Sequence, residues 1–208
     1  MPYSTAGKNL MLDALRGVTP STPITHASLH STIPSDVGSN ELSGGSPPYA
    51  RKPITFNAAS FGVIAKAATA QVFEAPASTT VVAVGFWSAL VAGTFLGWAP
   101  VNGGATDGVA TVTAASDLFI SAAHGLLAND RVYCLPVTNQ ALPTGINATT
   151  LYFVVNPAAN TFQVSLTLSG PPVDVTSDQE AYFQKIIPEV FGSQGTITID
   201  AAVLDLNG

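Results

Sequence analysis

The chain has 208 residues, of which 47% are hydrophobic and only 10% charged, with a formal net charge of −6. Its seven bases (Lys8, Arg16, Arg51, Lys52, Lys66, Arg131, Lys185) form no stripe or patch, which argues against a phosphate-binding face and so against nucleic acid as a partner. No apolar run approaches the roughly 20 residues of a membrane span, so no membrane partner is expected.

A charged share of about 25% is usual. The shortfall leaves few solvating groups and implies a surface covered by partners, in a homo-oligomer or a larger assembly. The first residues lack the order of a signal peptide, so synthesis in the cytoplasm is expected. Cys134 is the only cysteine, which excludes an internal disulfide. It lies in an apolar run and reads as a buried, inert thiol.

In chain order, residues 4–16 read as a helix. Ser4 or Thr5 caps its start and Gly17 ends it. Leu10 with Ala14, and Met11 with Leu15, set apolar pairs four residues apart, giving one face to pack on a sheet or a neighbouring chain. A Pro20–Pro23 entry leads to a strand over 24–31. Residues 38–53, rich in Gly, Ser and Pro, form an ordered loop or arm. Short strands are expected over 54–56 and 69–73. Residues 80–87 are apolar almost throughout, as in a strand covered on both faces. Residues 93–99 pair with it as a hairpin.

After a break at Asn102-Gly103-Gly104 and Asp107-Gly108 the rhythm becomes regular. Strands are expected over 118–121, 131–137, 151–156, 161–168 and 173–176, with a hairpin loop over 156–160. Residues 162–168 alternate apolar and polar at every step, the period of a half-buried strand. The tail from 194 returns to plain strand: Ile197, Ile199 and Ala201 share one face, then Ala202, Leu204 and Leu206 take over. A bulge or turn near 201–202 must absorb that slip. The tail is expected to pair with the first region, which makes 109–178 an inserted small β-unit between 1–108 and 179–208.

Candidate chemistry is sparse. His26 and His30 have a metal-like spacing, but on a strand they stand about 13 Å apart and read as polar strand residues. No nucleophile elbow is present, and Gly44-Gly45-Ser46 lacks the strand-to-helix setting one needs. No Asp-x-Asp-x-Asp-Gly loop suggests calcium. Asn147-Ala-Thr149 fits a glycosylation pattern without a secretion signal to use it. Trp87, Trp98 and Tyr49 offer rings for core or interface packing, or for a sugar. His124 and Gly125, with Asn129, Asp130 and Arg131, read as turn chemistry leading into a strand, with His124 bonding the backbone. No cofactor, metal or catalytic set is expected.

Two passages carry a resemblance. Leu29-His30, Asn40-Glu41-Leu42-Ser43-Gly44-Gly45-Ser46, Tyr49-Ala50-Arg51, Val84-Gly85-Phe86-Trp87 and Gly93-Thr94-Phe95-Leu96-Gly97-Trp98 resemble a family of tailed-bacteriophage structural proteins, often labelled tail-fibre or minor structural proteins. Pro47-Pro48 lengthens the loop before Tyr49 relative to the usual "SGGSYAR". His124-Gly-Leu, Asp130-Arg-Val, Leu142-Pro-Thr-Gly145, Leu151-Tyr-Phe-Val-Val155 and Thr161-Phe162 look like a small β-module of phage tail and fibre proteins. The resemblance implies a virion protein without catalytic residues, on the tail or fibre or else decorating the capsid, with other virion proteins as partners; a homo-oligomer such as a trimer suits either placement. A carbohydrate-binding adhesion module is the reading from a different class. The expected fold is all-β: an antiparallel, jelly-roll-like β-sandwich with one N-terminal helix and the inserted β-domain. Leu10, Met11, Leu15, Tyr49, Arg51 and Trp98 are its expected assembly contacts.

Overall fold

The computed structural model describes residues 3–16, 22–61, 63–102, 107–137 and 140–205. Gly17, Pro20, Gly103, Gly104 and Leu206, invoked above, lie outside the described residues. The elements in order are α1 (Thr5–Leu15), β1 (His26–His30), β2 (Lys52–Pro53), β3 (Val63–Ala65), β4 (Gln71–Ala75), β5 (Thr79–Val81), β6 (Ala83–Trp87) and β7 (Phe95–Pro100). Then come β8 (Asp107–Thr113), β9 (Leu118–Ile120), β10 (Arg131–Pro136), β11 (Tyr152–Val155), β12 (Thr161–Ser165), β13 (Gln179–Ile186), β14 (Glu189–Phe191), β15 (Gly195–Ile199) and β16 (Val203–Asp205). The fold is all-β with antiparallel pairing throughout these ladders.

The chain divides into two compact units, one of residues 1–100 and 188–208, the other of 101–187. The first holds a four-stranded sheet, β2-β1-β6-β7, and three two-stranded ribbons, β14-β5, β15-β4 and β16-β3. Every residue of β6 is buried, as its unbroken apolar run requires for a central strand. The expected single strand over 80–87 is split at Val82, because β5 pairs with β14 while β6 pairs with β1 and β7. The expected strand over 54–56 is replaced by β2 just before it; Ile54 is buried and Phe56 makes only an isolated bridge to Lys66. The tail is interrupted at 200–202, so β15 pairs with β4 and β16 with β3.

The helix is capped by Ser4, whose Oγ accepts from Gly7 N–H at 3.0 Å and donates to Phe95 O at 2.6 Å. Ser4 N–H also donates to Leu96 O at 3.2 Å. The cap thus binds α1 to β7 as well as starting it. Gly7 is the buried residue of the helix, so α1 meets the sheet through its first turn rather than through its leucine stripe.

The second unit is a closed six-stranded barrel in the order β10-β11-β12-β9-β8-β13. Its inward residues include Val112, Phe119, Val132, Cys134, Val154, Phe162, Ala181 and Phe183, each with no exposed surface. The Phe162 ring stacks on Phe119 at 5.1 Å and meets Phe183 edge-on at 5.1 Å. β13 completes the ring by pairing with both β8 and β10. The unit's edges therefore lie wider than the expected 109 and 178: strands β8 and β13 hold the barrel shut, and residues 179–187 belong to it rather than to the first unit. Two expected strands change as well. β12 stops at Ser165, leaving Leu166 and Leu168 63% and 64% exposed. Residues 173–176 form no ladder; they are tied by single bonds such as Val173 N–H to Val164 O at 2.8 Å and Val175 N–H to Asp117 Oδ1 at 2.7 Å.

Candidate functional site

β2 covers only His26 and Ala27 of the β1 edge. Beyond that point the 39–49 loop takes over. Leu29 N–H donates to Tyr49 Oη at 2.8 Å, Leu42 N–H to Leu29 O at 2.9 Å and Ser31 N–H to Asn40 O at 3.0 Å. The loop is thereby seated as an irregular extra strand, and Glu41 arrives opposite His30.

Glu41 and Arg51 form the centre of the site. Arg51 Nε donates to both carboxylate oxygens at 2.9 and 3.1 Å, and Nη2 donates to Oε2 at 2.7 Å. The remaining Nη1 donates to Ala89 O and Ala92 O at 3.2 and 2.7 Å. The guanidinium lies 3.5 Å over the Trp87 ring. A planar fork with five donors suits this task, which a lysine cannot perform. The cation over the ring contributes about 1–2 kcal/mol when partly desolvated. Tyr49 Oη donates to Glu41 Oε1 at 3.2 Å, while its ring stacks on Phe73 at 6.5 Å. Burial, then the neighbouring Glu41 charge, pushes the Tyr49 phenol well above its usual range, so it stays a donor. All these groups are used in holding the 39–51 loop and the 88–93 loop together.

The turn between them is built from glycine. Gly44 and Gly45 have φ of 84° and 89°, the left-handed region that side chains disfavour. Tyr49 N–H closes the turn on Gly44 O at 2.8 Å, and the Ser46–Pro47 peptide is cis. Gln194, 148 residues further along, accepts from Ser46 N–H at 2.7 Å and donates from Nε2 to Pro47 O at 2.7 Å. An open depression of about 450 Å³ lies beside the clamp, lined by Glu41, Tyr49, Arg51, Leu90 and Val91 among others. Leu90 and Val91 at the loop tip are 51% and 79% exposed.

The expected contact residues are thus sorted. Tyr49 and Arg51 meet in the clamp. Trp98 is 4% exposed and Trp87 7%, so neither ring presents a face to a partner or a sugar, because the sheet buries both. On α1, Leu10 and Met11 are half-buried and Leu15 is 85% exposed. The sequence reading passed over Lys66. Its side chain is buried, and Nζ donates to the carbonyls of Ala67, Thr69 and Asp200. Nothing in the local sequence separates it from the other scattered bases, since Asp200 O reaches it only on folding.

In the barrel, buried His124 accepts from Leu126 N–H at Nδ1 (3.0 Å) and faces Thr161 O with Nε2 (3.2 Å). Its ring lies edge-on to Phe162 at 5.0 Å. Gly125 follows with φ of 66°. Asp130 Oδ2 accepts from Leu127 N–H at 2.8 Å and Oδ1 pairs with Lys185 Nζ at 2.7 Å, while the Arg131 guanidinium stands 5.1 Å over Phe153. These residues close the barrel's turns. A second open depression, about 460 Å³, is lined by His124, Leu126, Leu127, Pro157 and Ala158 among others. Cys134 is fully buried and its thiol is pushed up to about 12 by desolvation, which removes the thiolate that reactivity needs. Among the described residues no three His, Cys, Asp or Glu side chains converge as a metal site would require.

The segment carrying the clamp falls within a match to a family described as Podophage GP4 fiber I protein gp80, which spans residues 2–120. The chain belongs to this family of podophage fibre proteins. No curated protein matches it. The match takes in the first unit up to residue 100 and the first two strands of the barrel.

Proposed function

We propose that the chain is a non-enzymatic structural component of a tailed-phage virion, carried on the tail or fibre and joined to other virion proteins by protein–protein contact. The match of residues 2–120 to the podophage fibre family carries this reading. The chemistry of the clamp supports it. The acid, the base and the phenol that would serve a reaction are all engaged in holding two loops, so what the site offers outward is shape. That shape is the apolar Leu90–Val91 tip, held at its base by Arg51 through Ala89 O and Ala92 O, beside an open depression. A pre-ordered apolar tip loses little entropy on docking, which favours assembly. Leu12 and Leu15 on α1 are 60% and 85% exposed and add a second apolar contact. The barrel of residues 101–187 is read as an accessory phage β-module that supplies further contacts.

The test is the position of the chain in intact particles, by labelled antibody or particle imaging. Labelling on the tail or its fibres is the expected result. Labelling over the head shell would replace this reading with capsid decoration. Glycan binding by the purified chain that is lost in Tyr49→Ala would replace it with adhesion.

A further inference from the structure

His30 is fully buried at the junction of β1, β6 and the 39–41 segment. Its Nδ1 lies 2.8 Å from Ser39 O. A carbonyl only accepts, so Nδ1 carries the proton. Nε2 lies 2.7 Å from Ser28 Oγ, and Ser28 Oγ accepts from Trp87 Nε1–H at 2.8 Å. The hydroxyl hydrogen of Ser28 therefore points to the bare Nε2. The chain runs Trp87 to Ser28 to His30 to Ser39, with three donors matched to three acceptors. The space for the ring exists because residue 85 is glycine: a Cβ there would stand 2.4 Å from His30 Nε2. Phe95 closes the other side, edge-on at 5.8 Å.

Adding a proton at Nε2 breaks this match. Nε2–H and Trp87 Nε1–H would both turn on Ser28 Oγ, whose own hydrogen then loses its acceptor; an unmatched buried donor is costly, and opening the Ser28 pairings relieves it. The charged groups facing the ring are Glu41 and Arg51, on the 39–51 loop; Glu41 favours the imidazolium and Arg51 opposes it. Both belong to the clamp, as does the Trp87 ring.

We propose that His30 is an acid-operated latch: neutral and protonated on Nδ1, it holds β1, β6 and the 39–41 segment together, and protonation on Nε2 releases Trp87 from Ser28 and loosens the Glu41–Arg51 grip on the 88–93 loop. This goes beyond the assembly role and does not depend on it. Burial holds the ring's pKa below 6.5. A depressed histidine stabilises the fold fully above the unfolded value, and that contribution is lost as pH falls from 6.5 toward the lowered native value.

Histidine-selective 15N NMR of the full chain tests the latch directly, since there are only three histidines. At pH 8 the ring with NOEs to Phe95 is expected to have a protonated Nδ1 and a bare Nε2, opposite to His124. On acidification it should stay neutral below pH 6.5, the ordinary histidine value. Amide exchange over 88–94, corrected for intrinsic rates, should then rise by up to about tenfold per pH unit below 6.5. His30→Gln should flatten that rise; the wild-type titration needs no variant. An Nε2–H tautomer at His30, or exchange over 88–94 unchanged down to its protonation, would overturn the proposal.

Discussion

In the barrel every strand has a neighbour on both sides, so backbone groups are paired around the ring and inward side chains are left to pack. In the first unit the four-stranded sheet stops at β2 and β7, and side chains must take over where ladders end. Tyr49 satisfies Leu29 N–H, Ser4 takes Phe95 O, Gln194 holds the 46–47 turn and Lys66 gathers three carbonyls. The barrel draws its stability from a greasy interior. The first unit adds a set of polar fasteners whose removal strands buried groups. In the first unit charge is turned inward at Glu41, Arg51 and Lys66.

The sharpest way to break the comparison is at the barrel's centre. Phe162→Ala should destabilise the barrel by about 3–5 kcal/mol, the cost of an aromatic cavity, read by urea unfolding followed by far-ultraviolet circular dichroism. Tryptophan fluorescence reads the other unit separately, since both tryptophans lie there. An interior that tolerates the cavity at under 1 kcal/mol would refute the picture of a tightly packed ring.

Arg51→Ala tests the fasteners. It leaves Glu41, whose side chain is 21% exposed, without its main partner, and the expected cost is about 3 kcal/mol. Hydrogen exchange should localise the effect to residues 39–51 and 88–94. Arg51→Lys should recover little, because one ammonium cannot span the carboxylate and both carbonyls. Lys66→Met keeps the stem and removes the ammonium. It should cost about 1–3 kcal/mol by leaving carbonyls unsatisfied, with faster exchange where β15 and β16 pair. A stabilised Lys66→Met protein would mean that the cage contributes nothing. The smallest effect is expected at Leu168→Ser, within about 0.5 kcal/mol by the same unfolding assay. A loss of several kcal/mol there would restore the longer strand that the alternation predicts.

That last residue shows where pattern reading stops. Alternation located β10, β11 and the first half of β12 because one face of each meets the core. It overran into Leu166 and Leu168, since an alternating sequence does not record whether a partner strand is still alongside; β12 has partners only for Thr161, Phe162, Gln163, Val164 and Ser165. β13 was missed for the converse reason. Gln179, Glu180, Gln184 and Lys185 make it look like surface, yet Ala181 and Phe183 point inward with no exposure. Of the candidate site, Tyr49 and Arg51 stand in the sequence only as two of six expected assembly contacts, with nothing to mark them as joined. Their shared partner Glu41, the carbonyls of Ala89 and Ala92 and the brace at Gln194 were not legible, because those distances exist only after folding.

Taken alone, the order of residues determined an all-β chain, a capped N-terminal helix, a buried Cys134, a loop through Gly44-Gly45 and a turn at Gly125, since each follows from local sterics and short-range hydrophobic period. Tertiary structure alone decided that strands β8 and β13 close a ring, that Trp98 faces inward, that Lys66 is buried and that Glu41 and Arg51 bind two loops. Those outcomes depend on which distant backbone edges meet, and pairing between distant edges is settled by the packing of the whole chain.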